Sequence, residues 1–249
     1  MWQAIGSSVR GSGHTTTNLP CQDAHCFRIS NDCIVVTVAD GLGSAAKSEQ
    51  GAKIAAETSL ETIVEALGDE QLRGSSSWVK LLSQSFEQAR RNIEQQAELD
   101  GLSLHSFGTT LIVVVATSGW LAVGHIGDGA VVASLEDGEL ITFSPPQRGE
   151  YCNEVKPLTA SDALDLIQFS VEPVKVSGVA VFTDGLQSVS MDLVKNTPYA
   201  PFFIPLFEVI SREVNTAVVS QQLSDFLNSE RICERTDDDK TLVVFGNLQ

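Results

Sequence analysis

The chain has 249 residues, 32 acidic against 16 basic side chains, a formal charge of −16 at pH 7 and 43% hydrophobic residues. So acidic a chain repels nucleic acid and anionic lipid and attracts cations. No stretch approaches the roughly 18 consecutive apolar residues of a membrane-spanning helix. The start lacks a charged segment followed by an apolar run, so no secretory signal is read and the expected location is the cytoplasm. Five cysteines, Cys21, Cys26, Cys33, Cys152 and Cys233, contain no C-x-x-C pair, which predicts reduced thiols rather than disulfides or a cysteine-rich zinc site.

In chain order, the first apolar, β-branched run is 33–39 (CIVVTVA), a predicted strand that ends directly in Asp40-Gly41. Two long periodic helices are predicted over 47–67 and 77–99, with a polar loop at 68–77 between them. Strands are expected at 110–117, 120–125 and 130–135. The last two are separated by Ile126-Gly127-Asp128-Gly129 and read as a hairpin. An irregular stretch covers 144–157. Strands follow at 171–176 and 179–183, the second running into Asp184-Gly185. Helices are predicted over 202–212 and 215–227, and Asp237-Asp238-Asp239-Lys240 precedes a final strand at 241–245. No repeat or linker divides the chain, so residues 1–249 are expected to form one domain. The order lacks a regular βαβ rhythm and suggests an α+β sandwich, with helices covering antiparallel sheets.

Four strands thus carry an aspartate at one end, three of them beside glycine. One Asp-Gly after a strand is ordinarily a turn. Four together suit a hard divalent cation, because Mg²⁺ and Mn²⁺ prefer oxygen ligands and strand ends hold carboxylates in fixed positions. Glycine also lets a backbone carbonyl approach an ion.

These segments resemble the metal-dependent protein phosphatase (PPM) family, the type 2C serine/threonine phosphatases, and most of all its short single-domain bacterial branch. Cys21-Gln22-Asp23-Ala24, Val38-Ala39-Asp40-Gly41-Leu42-Gly43, Ser106-Phe107-Gly108-Thr109-Thr110, Gly127-Asp128, Phe182-Thr183-Asp184-Gly185-Leu186 and Asp238-Asp239-Lys240-Thr241 fall in family order over nearly the whole chain. The resemblance implies a four-layer α-β-β-α sandwich with two central, mostly antiparallel sheets flanked by helix pairs. It implies an enzyme that removes phosphate from Ser or Thr of a phosphoprotein, the counterpart of a bacterial kinase. It also implies two Mg²⁺ or Mn²⁺ ions, with a third weaker one, activating a water for in-line hydrolysis without a phosphoenzyme. By position, Asp40 would bridge two ions with the Gly41 carbonyl as a further ligand. Asp184 and Asp238 would hold the first ion, Asp128 and Asp184 the third, and Asp23 would hydrogen-bond the water around them. Asp40, Asp184 and Asp238 are thus the expected catalytic set.

Two positions depart from the pattern. Asn18 stands where many members carry a phosphate-gripping arginine, which leaves Arg10 and His14 as candidates for that role. Leu42 stands where some carry a histidine. Glu150 and Tyr151 fall in a segment that is a variable, substrate-facing flap in the family. His25, His105 and His125 lack metal-ligand spacing and read as structural, and Ser8, Thr15 and Thr183 read as ordinary strand-end residues. The alternatives to a protein phosphatase are a sensing module that kept the fold and lost the chemistry, and a phosphatase of small phosphorylated metabolites.

Overall fold

The computed structural model describes all residues except 31, 70–73, 148–154, 213 and 249. The chain begins with β1 (Trp2–Val9), α1 (Ser12–Thr17), β2 (Ala24–Ser30) and β3 (Cys33–Ala39), then the long helices α2 (Ser48–Asp69) and α3 (Ser75–Asp100). Next come β4 (Leu111–Thr117), β5 (Leu121–Ile126), β6 (Ala130–Leu135), β7 (Leu140–Ser144), β8 (Gln168–Glu172) and β9 (Val176–Phe182). The last part holds α4 (Gln187–Ser190), β10 (Met191–Asp192), β11 (Thr197–Pro198), α5 (Ala200–Ile210), α6 (Thr216–Leu227), α7 (Glu230–Cys233) and β12 (Lys240–Asn247).

Two five-stranded sheets form, in the orders β1-β12-β9-β6-β7 and β2-β3-β4-β5-β8, with β10 and β11 as a small separate ribbon. Every pairing is antiparallel. The side-chain period of two explains the layers. Along β4, Ile112, Val114 and Ala116 face the other sheet, while Leu111, Val113 and Val115 face α2 and α3. Along β12, Val243 and Phe245 point between the sheets, while Leu242 and Val244 meet Phe203, Phe207 and Leu223 of α5 and α6. Central strands bury both faces and therefore read as continuous apolar runs. Ala52, Ala55 and Ala56 are buried and let α2 lie close to β3, where the Thr37 hydroxyl donates to the Ala56 carbonyl at 3.0 Å. The outcome is the expected α-β-β-α sandwich.

Two readings are corrected. Residues 120–125 and 130–135 are not a hairpin: β5 pairs with β4 and β8, whereas β6 pairs with β7 and β9 of the opposite sheet. The Gly127-Asp128-Gly129 turn carries the chain from one sheet to the other. Gly127 sits at φ +121, where a β-carbon would press on Thr110, so the sharp crossing depends on glycine. The predicted strand at 171–176 is instead the end of β8 and the start of β9. Pro173 lies between them and has no N–H to continue a ladder. The strands β1, β2 and β7, not foreseen, are all sheet edges.

Candidate metal centre

The strand-end aspartates gather at one end of the sandwich. Asp40 follows β3, Asp128 sits in the crossing between β5 and β6, and Asp184 follows β9. One carboxylate oxygen from each of these three lies within 4.8 Å of the others. They line a cavity of about 300 Å³ together with Asp238, Asp239, Gly41, His14 and Gln22. Asp238 shares the cavity without joining the tight triad. No donor among the described residues is assigned to the Gly41 carbonyl.

Backbone bonds hold the carboxylates in place. The Asp40 carbonyl accepts from Thr110 N at 2.8 Å and Thr109 Oγ1 at 3.0 Å, and its N–H donates to Thr110 Oγ1 at 3.0 Å. The Thr-Thr pair thus locks the end of β3 to the start of β4. The Gln187 side-chain amide donates to the Asp128 carbonyl, joining the crossing to α4. Thr183 is more than a strand-end residue: its hydroxyl donates to Asp23 Oδ2 at 2.8 Å and accepts from Thr241 N at 3.0 Å. Ser8 bonds both Thr241 Oγ1 and His25 Nδ1 at 2.7 Å, so His25 serves as a support.

A methyl group at position 185 would overlap the Asp239 backbone carbonyl. We expect Gly185→Ala to force the loop ahead of β12 away from Asp184. The cost is about 1–3 kcal/mol of overpacking, or roughly 2–12 °C in Tm for a chain of this size. Thermal unfolding monitored by circular dichroism checks it; a wild-type Tm would show that this close contact is absent.

The electrostatics are those of buried, crowded carboxylates. Burial, then Asp23, Asp184 and Asp128, raises Asp40 well above the ordinary carboxylate range. Burial, opposed by hydrogen bonds from Thr241 and Thr183, pushes Asp23 up to about 7. Burial and the nearby Asp184 likewise push Asp128 to about 7. Asp184 Oδ1 and Asp23 Oδ1 are buried with no hydrogen-bond donor among the described residues, although unpaired buried acceptors are costly. Crowded carboxylates with orphaned oxygens fit hard divalent cations, which take oxygen donors and neutralise the repulsion.

Asp239, passed over in the sequence reading, anchors the N-terminal loop. Its oxygens accept from Gly11 N at 2.7 Å, Gln22 N at 2.5 Å and His14 Nδ1 at 2.9 Å, and it is 3% exposed. His14 lines the cavity. Arg10 is not among the lining residues; its side chain is exposed and donates to the Leu19 carbonyl at 3.3 Å. Asn18 is the left-handed cap of α1, at φ +57, a conformation asparagine tolerates better than arginine. Leu42 lines the cavity as an aliphatic wall. His125 is buried, its pKa lowered to about 4 by desolvation, and bonds Ser144 Oγ at 2.9 Å. Cys21, Cys26, Cys33 and Cys233 are free thiols, and none of them lines the cavity; burial raises Cys21, Cys26 and Cys33. Glu150 and Tyr151 lie outside the described residues. Val155, just beyond them, lines the cavity.

Comparison with known proteins shows the family and the fold. The family described as Protein phosphatase 2C matches residues 10–228. Serine/threonine-protein phosphatase 3 of Escherichia coli (strain K12) is 30% identical over 252 residues, covering 98% of this chain and 97% of the relative. Among solved structures, the S. agalactiae serine/threonine phosphatase superposes with a TM-score of 0.68 at 14% identity, over 100% of both chains. The catalytic domain of the phosphatase PstP, solved with two manganese ions, gives 0.60 at 18% identity, over 100% of this chain and 99% of that one.

Proposed function

We propose a two-ion, water-based mechanism for this chain, which belongs to the protein phosphatase 2C family and is a serine/threonine phosphoprotein phosphatase. The observation that carries the mechanism is the convergence of Asp40, Asp128 and Asp184 within 4.8 Å. In this reading Asp40, the Gly41 carbonyl, Asp184 and Asp238 would hold two divalent ions, and Asp128 with Asp184 would hold a weaker third. Manganese in a solved relative and the all-oxygen donor set support Mn²⁺ or Mg²⁺. When bound, such ions lower the pKa of water and neutralise phosphoryl oxygens.

The chain's own residues do the remaining work. Asp23, held by Thr183, would accept from water around the ions through its unpartnered oxygen. Asp239 fixes the His14 ring through Nδ1; with both ring nitrogens protonated, Nε2–H would donate to a phosphate oxygen in place of the missing arginine. Residues 1–249 act as one cytoplasmic phosphatase domain opposed to a Ser/Thr kinase. Among the described residues no helix is long and apolar enough to cross a membrane.

The test is phosphate release from a phosphothreonine peptide during Mn²⁺ or Mg²⁺ titration. Activity restored by either ion after chelation is expected, and turnover unaffected by chelator would sink the mechanism. His14→Ala should lower kcat/KM about 10–100-fold, the weight of one charge-assisted contact of about 1.5–3 kcal/mol. Most of that loss should appear in KM for the peptide, and a loss confined to Mn²⁺ affinity would move His14 from substrate to metal support.

A further inference from the structure

Behind the β1-β12-β9-β6-β7 sheet, away from the carboxylates, α4, α5 and α7 border a second concavity of about 580 Å³. Its walls include Met191, Phe202, Leu206, Val209, Phe226 and Ile232. That size and lining suit a small organic ligand, whose sites usually span about 300–1,000 Å³. The chain's charge makes the rim unusual. Arg231 and Arg235 both line the groove, both are exposed, and neither has an ion-pair partner among the described residues. In a chain with 16 cationic against 32 acidic side chains, two guanidinium groups without an ion pair among the described residues border an apolar groove. Asp192, also in the lining, is already engaged. It accepts from Val194 N and Lys195 N at 3.1 Å and lies 3.8 Å from Lys195 Nζ.

We propose that this groove is an effector site for a small anionic amphiphile. An apolar body packs between α5 and α7, and a carboxylate or sulfonate head pairs with Arg231 and Arg235, whose forked donors match such a group. Connectivity supplies the effector role. Ser188 and Val189 in the groove follow Asp184 closely in the chain, and Arg235 shortly precedes Asp238. The Ser188 hydroxyl donates to the Arg235 carbonyl at 3.3 Å, tying the two segments together. A ligand seated here touches both segments that carry cavity carboxylates, so its binding and that of divalent ions are linked, and linkage is reciprocal. This coupling rests on the metal assignment proposed above; ligand binding does not.

The probe is 1-anilinonaphthalene-8-sulfonate, titrated by fluorescence into the full chain in Mg²⁺ buffer. Saturable binding is expected, displaced by decanoate and far less by decanol. The double variant Arg231→Glu, Arg235→Glu should weaken it about tenfold or more, the loss of a charge-assisted contact. Val209→Trp, at a position 40% exposed, should fill the groove and abolish binding. Thermal unfolding of each variant confirms that it is folded. Binding that ignores both variants, or equal displacement by decanol, overturns the site. Saturating decanoate should shift the half-saturating Mn²⁺ for phosphatase activity about fivefold or more. Binding with no such shift overturns the effector role and leaves the metal assignment untouched.

Discussion

Asp184→Ala is expected to reduce phosphate release from a phosphothreonine peptide by about a thousandfold or more, since metal-based charge stabilisation supplies several kcal/mol. Asp184 is the carboxylate shared by most of the proposed arrangement, standing beside Asp40 and Asp128 with one oxygen lacking a donor among the described residues. Its removal deletes a proposed ligand, whereas the neighbouring framework keeps its bonds, because Asp40 is pinned by Thr109 and Thr110 and Asp23 by Thr183. The variant should therefore fold, and its metal-free form should unfold no earlier than wild type, having lost one of several crowded like charges. Activity and Mn²⁺ affinity measured on protein shown to be folded by circular dichroism decide the matter. Residual turnover within tenfold of wild type would remove Asp184 from the centre and leave the mechanism without a shared ligand.

Metal and pH should act on stability in opposition. Asp23 and Asp128 ordinarily titrate at 3.8 and in the folded chain are pushed up to about 7, with Asp40 raised in the same sense. Between those limits the folded state holds protons that the unfolded chain has released. The unfolded state then binds fewer protons, so stability falls as pH rises through the window from about 4 to about 7. Metal-free protein is expected to show a higher Tm at pH 5.5 than at pH 8. Divalent ions reverse the trend, since they bind deprotonated carboxylates and favour the folded state. At about 100 times Kd the gain is about 2.7 kcal/mol, roughly 5–10 °C in Tm for a chain of this length. Scanning calorimetry at both pH values, with chelator and with Mn²⁺, reads the effect. A Tm that climbs with pH in chelator would mean that the aspartates are not held protonated by the fold, and that the cluster is looser than described.

The sequence by itself determined the central strands, the long helices and the individual metal-site candidates. Both faces of β3, β4, β6 and β12 are buried, so they stand out as apolar runs, and α2 and α3 repeat with the helical period. The edge strands β1, β2 and β7 were illegible for the complementary reason: β2 and β7 are half-exposed and β1 is rich in small and polar residues, so no continuous apolar run marks them. Asp40, Asp128, Asp184 and Asp238 could be named because each lies where a strand meets a turn. Their convergence could not, since β3 and β9 belong to different sheets. Only the tertiary structure decided that the Gly127-Asp128 turn crosses between sheets. It alone paired His14 with Asp239 across 225 residues and Thr183 with Asp23 across 160. The physical reason is range: residue pattern reports which face of an element is buried, whereas the partners that fix a buried carboxylate come from chain segments whose meeting no local periodicity records.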